Sequence, residues 1–260
     1  MKKIILLTIC CISIKSYSQK IDTDRPDQTE SSSVVPHKSF QIESGFLLEF
    51  PEHQFNKNYA TTTLPTTLFR YGILNWLEIR FVSEYSWINY GYYKEQGMND
   101  LQIGTKIQLL KKENINTEIA FMSHLVTPSG SKNYSGIYGT INRFLISHNL
   151  NENVNLGYNL GWDYFGKGKG NLTYTMALGC SVGDRFGFFI EPFGEVIEFE
   201  EFVASFDAGI TYLITDKLQA DFYFGTGLNH KNNFMGGGLS WLITPKKSDR
   251  VSHHFRNSKN

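Results

Sequence analysis

From Leu77 to Trp87 the sequence reads LEIRFVSEYSW, in which apolar and polar side chains alternate. Because successive side chains of a β-strand point to opposite faces, this stretch predicts a strand with one apolar and one polar face. The same alternation recurs in segments such as 101–109, 154–164 and 218–225. The alternating segments run over about 9–11 residues, which is the length that a tilted strand needs to cross a bilayer.

Twelve strands of this kind follow one another after residue 38. They are predicted at 39–50, 61–71, 76–87, 99–110, 115–126, 134–147, 154–164, 171–182, 186–196, 202–214, 218–228 and 234–243. An even number of strands, joined by tight turns that alternate with somewhat longer loops, is typical of a closed transmembrane antiparallel up-and-down β-barrel. A water-soluble β-sandwich would alternate as well, but the strand length and an aromatic content of 15% favour the all-β barrel.

The N-terminus predicts export from the cytoplasm. Lys2 and Lys3 precede an apolar run over 4–14, and small residues follow at 16–18, a pattern typical of a secretory signal peptide. The apolar run is too short for a helix that spans a bilayer. We therefore predict four parts: a signal peptide over 1–18, a periplasmic segment over 19–38, an outer-membrane barrel over 39–243 and a polar C-terminal tail over 244–260.

Composition narrows the range of partners. Lys and Arg number 25 and Asp and Glu also number 25, so no net charge recommends nucleic acid as a partner. Once the signal peptide is removed Cys180 is the only cysteine left, which excludes an intrachain disulfide. No spacing of ligand residues predicts a metal site, and we expect no cofactor. The expected partners are outer-membrane lipids, a small organic solute and, during biogenesis, periplasmic chaperones and the barrel-assembly machinery.

No group of residues predicts catalysis. Ser123 and His124 are neighbours on one predicted strand, so their side chains point to opposite faces and cannot form a nucleophile and base pair. An outer-membrane lipid hydrolase would need a serine and a histidine on adjacent strands near one rim, and the sequence places no such pair. We therefore expect a protein that is not an enzyme.

Strand parity places many charged side chains on the face opposite to the apolar one. Because a cation that faces lipid at mid-depth costs about 2–4 kcal/mol, these side chains are expected to face the barrel interior. The predicted solute path consists of Glu43, Arg70, Glu78, Arg80, Glu84, Lys106, Glu118, Asp163, Glu191, Asp207 and Asp221. Glu49, Asp100 and Glu195 share their parity. The excess of acidic groups favours cations or uncharged polar solutes over anions.

The segment 19–38 lacks strand periodicity. It carries charged residues at Asp22, Asp24, Arg25, Asp27 and Glu30. A polar chain terminus can remain disordered. Proline, however, stiffens the step after Arg25. The guanidinium is also expected to pair bidentately with an inward carboxylate such as Glu43 or Glu78. We predict that this segment enters the periplasmic mouth as a partial plug that gates access.

Two groups of motifs resemble a known family. They are DTDRPDQTES at 22–31, with VP at 35–36 and FQIESG at 40–45, and FRYG at 69–72 with WLEIR at 76–80. Together they resemble the Gram-negative outer-membrane transporter family named for phenol meta-pathway degradation (MetA-type barrels). This resemblance implies a β-barrel that passes small, often aromatic, organic molecules. It implies no particular set of functional residues.

Two functions follow from these predictions. The first is a passive outer-membrane channel or transporter, porin-like, for small organic solutes that include aromatic or hydrophobic ones. The alternative is a structural or adhesion barrel whose polar interior is sealed and only stabilises the fold. Since twelve strands enclose a modest lumen, inward charges can either line water or fill the interior. A water path through the lumen would distinguish the two.

Overall fold

The computed structural model describes residues 20–51, 59–91, 93–112 and 114–245. The strands are β1 Phe40–Pro51, β2 Ala60–Leu74, β3 Leu77–Asn89, β4 Lys94–Met98, β5 Gln102–Leu110, β6 Thr117–Val126, β7 Gly139–Asn149, β8 Val154–Tyr164, β9 Asn171–Val182, β10 Phe186–Ile197, β11 Glu201–Thr215, β12 Leu218–Gly227 and β13 Asn232–Ile243. The predicted signal peptide over 1–18 lies outside the described residues, as does the predicted tail apart from 244 and 245.

The sheet closes on itself. Every strand of the wall pairs antiparallel with its neighbour in the chain, and β1 pairs with both β2 and β13. The short β4 pairs only with β3, which continues the wall by pairing with β5. Twelve strands therefore form the barrel and β4 extends it at one rim, which confirms the predicted transmembrane antiparallel barrel.

Several strand boundaries differ from prediction. The expected loop 88–98 contains the end of β3 and all of β4, β5 begins at Gln102 rather than 99, and β7 begins at Gly139 rather than 134. The KEQGM segment of β4 has no apolar face, because it owes its strand geometry to pairing with β3 above the apolar zone. Before β7, the N–H of Gly136 donates to the Asp100 carboxylate instead of a neighbouring strand.

The outer surface of the wall is apolar. Large side chains at mid-strand are about half exposed, including Ile79, Ile103, Leu125, Phe144, Leu160, Ile190, Phe222 and Leu239. Exposed aromatics stand near the strand ends, among them Tyr71, Trp87, Trp162 and Trp241. A closed ladder leaves no unpaired edge in hydrocarbon, and aromatic residues favour the bilayer interface, so this surface suits a membrane. Among the described residues, no helix is long and apolar enough to cross a bilayer.

The two rims differ. The rim at which β1 begins, here the turn rim, carries the connections 75–76, 111–116, 150–153, 183–185 and 216–217. The opposite loop rim carries 52–59, 90–101, 127–138, 165–170, 198–200 and 228–231. The loop 198–200 is a tight turn, in which Glu198 and Phe199 adopt φ values of 53° and 61°. The interior holds only small apolar clusters, and its largest fully buried side chains are Arg70, Arg80 and Lys106.

Candidate functional site in the barrel lumen

The segment 20–38 contacts inward side chains around most of the barrel. It starts at the turn rim, where the N–H of Ile21 donates to the carbonyl of Asp216 at 2.8 Å. It ends beside β2, where the N–H of Lys38 donates to the carbonyl of Gly72 at 2.7 Å. Between these points its hydrogen bonds reach Glu43 on β1, Asp221 on β12, Glu191 on β10, Ser147 on β7, Glu118 on β6 and Glu78 on β3.

Two arginines face each other across β2 and β3. Arg70 and Arg80 are direct register partners, a placement that is destabilising for like charges unless they are compensated. Glu78 lies between them: its carboxylate accepts from Nε and Nη2 of Arg70 at 2.9 and 3.0 Å and from Nη1 of Arg80 at 2.9 Å. Arg70 also donates to Glu43 at 2.9 Å. The wall alone therefore compensates part of the positive charge.

Asp24 of the segment completes this arrangement. Its carboxylate lies 3.3 Å from Arg70 Nη1 and 2.9 Å from Lys106 Nζ, and it also accepts from Arg80. Burial raises the pKa of Asp24, but the charges of Arg70, Lys106 and Arg80 outweigh it and hold that pKa well below the usual range. We call the buried set Asp24, Glu43, Arg70, Glu78, Arg80 and Lys106 the ion network. Its three anions and three cations balance.

Arg25 has a different partner from the one predicted. Its guanidinium binds Asp221 through Nε at 3.3 Å and Nη2 at 3.1 Å, and only its backbone N–H reaches Glu43, at 3.1 Å. The predicted bidentate pairing with an inward carboxylate is therefore present, but Glu43 and Glu78 are the wrong partners because Arg70 already occupies both carboxylates. Glycines in β1 and β13 make the room. A β-carbon at Gly45 would lie 2.6 Å from Arg25 Nη2, and one at Gly238 would lie 2.8 Å from Nε.

Carboxyl groups without a cation lie on the other side of the lumen. Glu191 and Asp207 are direct partners across β10 and β11, and both are fully buried. Glu191 accepts from the N–H of Gln28 at 2.6 Å and from the hydroxyl of Thr29 at 2.5 Å. The Asp207 oxygens accept no hydrogen bond from the described residues, and Glu191 is the side chain within hydrogen-bonding reach.

Asp27 of the segment lies in the field of these two groups. Burial, together with the charges of Glu191 and Asp207, raises the pKa of Asp27 well above its usual range. We call Asp27, Glu191 and Asp207 the carboxyl cluster. The segment therefore joins a charge-balanced site to a site where negative charge is disfavoured.

Of the remaining predicted residues, Glu30 binds Arg80 Nη2 at 2.8 Å, and the side chains of the others lie apart from these two sites. Glu84 accepts from Asn99 toward the loop rim, at 3.0 Å, and Glu118 pairs with Lys111 at the turn rim, at 2.9 Å. Asp22 is exposed, and its backbone carbonyl rather than its carboxylate accepts from Arg70. Asp163 pairs with Arg143 at 3.3 Å. Strand parity does not predict which of these side chains meet.

Two inward residues are absent from the predicted solute path. Arg143 on β7 contacts both Glu30 and Asp163, and His124 on β6 accepts from Arg80 Nε at 2.9 Å. The inward face around Arg143 is apolar, because Ile141 and Leu145 pack in a small cluster inside the barrel. The outward face mixes Asn142 with Phe144, so the two faces do not differ enough in polarity to reveal the inward arginine.

Cavities lie on both sides of the segment. One of about 460 Å³ lies toward the turn rim, bordered by Lys111, Asn149 and Gln219. Two others lie toward the loop rim: one of about 350 Å³ beside Glu84 and His124, and one of about 300 Å³ beside Asp163 and His230. Arg25 lines the first two, and Gln28 lines the second and third. The segment separates the space at one rim from the space at the other.

Comparison with known proteins agrees with this architecture. A family model described as "Putative MetA-pathway of phenol degradation" matches residues 23–243. An outer-membrane channel from Pseudomonas putida F1 superposes with a TM-score of 0.61 at 11% identity, over 82% of this chain and 97% of that chain. A KdgM porin superposes with a TM-score of 0.56 at 10% identity, over 77% and 98%. No curated protein matches by sequence.

Proposed function

Because this chain belongs to the MetA-pathway phenol degradation family, and its fold is that of outer-membrane channels and porins, we propose that it is a passive outer-membrane channel for small organic solutes. The segment 20–38 serves in this proposal as a plug that must shift for a solute to pass. The two solved structures share the fold with this chain, and they are described as a channel and a porin.

One observation carries the proposal: the cavities on either side of the segment. A solid polar core would leave no space at either rim, whereas about 460 Å³ lies on one side and about 350 Å³ on the other. The separating element is not a strand of the wall, so it can move without breaking the barrel ladder. A path between the rims therefore needs only displacement of the segment.

The charges beside the cavities bear on the solute. Glu84, Glu118 and Asp163 border them, and Lys111 and Arg143 accompany two of these carboxylates. Paired charges leave little net field, and the excess is acidic. This arrangement supports passage of uncharged or cationic organic solutes over anions.

Deletion of residues 19–33 tests the channel and the plug together. In planar bilayers we expect the deletion to raise single-channel conductance severalfold over the full-length protein, while the shift between heated and unheated electrophoretic mobility shows an intact barrel. A matched variant replaces 19–33 by a glycine and serine segment of equal length. If its conductance equals that of the full-length protein, chain volume rather than the ion network closes the lumen, and the gating role of the segment fails.

A sealed structural barrel is the second candidate. The observation in its favour is the ion network, in which six charged side chains are buried and mutually paired. This candidate predicts that neither the full-length protein nor the deletion conducts ions or admits solutes into liposomes. Absence of flux from both proteins would sink the channel proposal.

A further inference from the structure

The smaller cavity at the loop rim has features of a binding site. It measures about 300 Å³ and is bordered by side chains from five consecutive strands, β7 to β11, and by Gln28 of the segment. Arg143, Asp163 and Thr173 line one side of it, and Phe193 and Val203 line another. One wall is therefore polar, and the other combines apolar Phe193 and Val203 with Glu195 and Ser205.

Three polar atoms on the polar wall are buried and have no hydrogen-bond partner among the described residues. Arg143 and Asp163 bind each other through Nη2 and Oδ2 at 3.3 Å. Arg143 Nε, Asp163 Oδ1 and Thr173 Oγ1 are left without a partner. They offer one donor, one acceptor and one hydroxyl that can act as either. Asp163 is only 8% exposed, and a buried polar group without a partner is destabilising.

The strand register brings these groups to one place. Gly161 on β8 is the direct partner of Arg143 on β7 and of Thr173 on β9. A β-carbon at Gly161 would lie 2.3 Å from Thr173 Oγ1 and 2.8 Å from Arg143 Cγ. The missing side chain lets the two flanking side chains lie over the strand, next to Asp163. The shape of this wall thus depends on Gly161, because a larger residue there would meet both flanking side chains.

We propose that this cavity is a subsite for an uncharged solute that carries two neighbouring hydroxyl groups on one edge and has an apolar opposite face, such as a cyclic diol or a monosaccharide. One hydroxyl donates to Asp163 Oδ1, the other accepts from Arg143 Nε, and Thr173 binds either one. The C–H face packs on Phe193. Arg143 is paired with Asp163, and Glu195 adds a further acidic group to the lining, so the cavity offers no net positive charge to an anion.

This subsite deepens the proposed channel function and rests on it. The probe is cis-1,2-cyclohexanediol, and cyclohexanol serves as the comparator with a single hydroxyl. Binding to the purified full-length protein is measured by saturation-transfer NMR in a detergent without a sugar headgroup. We expect the diol to bind and cyclohexanol to bind at least about tenfold more weakly, the difference of one hydrogen bond to a charged group.

Three variants assign the binding to this cavity. Thr173→Val keeps the side-chain shape and is expected to raise the Kd of the diol several-fold, and Gly161→Ala should abolish binding because the new methyl group meets both flanking side chains. Asp163→Asn probes the acceptor, but it also disturbs Arg143, so Thr173→Val is decisive if that variant misfolds. Thr211→Val makes the same change on β11 beside the larger cavity and should leave the Kd unchanged.

Two results would overturn the subsite: equal binding of diol and cyclohexanol, or an unchanged Kd in Thr173→Val and Gly161→Ala. The channel proposal is tested by a different measurement, namely flux through the barrel. A protein that conducts but does not bind the diol refutes the subsite alone. A protein that binds the diol but shows no flux, with or without residues 19–33, refutes the channel alone.

Discussion

The two sides of the lumen differ in how they compensate like charges that face each other on neighbouring strands. On one side Arg70 and Arg80 face each other across neighbouring strands, and on the other Glu191 and Asp207 do the same. The arginine pair is compensated by carboxylates from the wall and by Asp24 of the segment. The carboxyl pair meets no cation among the described residues and is met only by an N–H and a hydroxyl of the segment.

This difference assigns unequal roles to the two parts of the segment that contact these sites, one around Asp24 and one around Gln28. Buried ion pairs hold firmly once every partner is present, because removal of one partner leaves an uncompensated charge in a low dielectric. Neutral hydrogen bonds to a carboxylate are worth less, and the adjacent Asp207 opposes the charge that they favour. We infer that the segment is anchored at Asp24 and released first near Gln28 and Thr29.

Asp24→Asn should have the largest effect on this comparison. The substitution removes the charge that three cations share, and breaking a buried ion network of this kind costs about 3–5 kcal/mol. We expect the opening free energy of residues 20–38, measured by hydrogen exchange, to fall by that order and the bilayer conductance to rise. Asp22→Asn is the matched control, because the Asp22 side chain is exposed. Equal exchange in both variants would contradict the anchoring role.

The parts of the segment around Asp24 and around Asp27 should respond to pH in opposite directions. The pKa of Asp24 is lowered on docking, so its contribution is present above the ordinary carboxyl range and is lost as the pH falls toward that lowered value. The pKa of Asp27 is raised, so its contribution is present below the ordinary range and is lost as the pH rises toward that raised value. Glu191 and Asp207 are the titratable groups of the wall that face Asp27.

Hydrogen exchange across a pH series, corrected for intrinsic rates, checks this expectation. Protection at residues 23–25 should weaken only in strong acid, whereas protection at 27–29 should weaken as the pH rises above the ordinary carboxyl range. Asp27→Asn should remove most of the response to rising pH and leave the acid response in place. Parallel loss of protection at both places would mean that the segment undocks as one unit.

Asp207→Asn should have the smallest effect, and of the opposite sign. It removes the carboxyl placed directly opposite Glu191, and relief of such a pair is worth about 0.2–1 kcal/mol. We expect slightly stronger protection of residues 27–29 and a slightly lower conductance. Asp221→Asn removes the partner of Arg25 and should act in the other direction. Destabilisation by Asp207→Asn would show that the carboxyl cluster holds the segment rather than strains it.

Much of the barrel follows from the two-residue period of a strand. The alternation in 77–87 predicts both the strand and the inward position of Glu78 and Arg80, because parity requires only local sequence. The two-residue period gives no signal where the two faces of a strand do not differ in polarity. It therefore did not reveal the inward Arg143, whose inward neighbours are apolar. It also missed β4, whose polar residues pair beyond the apolar zone.

The contacts inside the lumen follow from closure, which local sequence does not encode. Which side chain lies across from Arg25 depends on how far the wall curves and on which carboxylates are already occupied. The expected partners Glu43 and Glu78 are inward, but Arg70 lies nearer to both. Asp221 lies within reach because β12 is separated from β1 only by β13, a proximity that appears only once the sheet closes.

The pairing of Arg25 with Asp221 has a consequence for assembly. These residues are 196 positions apart in the chain, and the contact of Thr29 with Glu191 spans 162. Contacts of such sequence separation form late, since the loop between them must first be organised. The segment precedes every strand of the wall in the chain but can dock only after β10 and β12 are in place. A newly assembled barrel therefore passes through a stage in which the wall is complete and the segment has not yet entered the lumen. The rate at which the segment docks sets how long this open stage lasts.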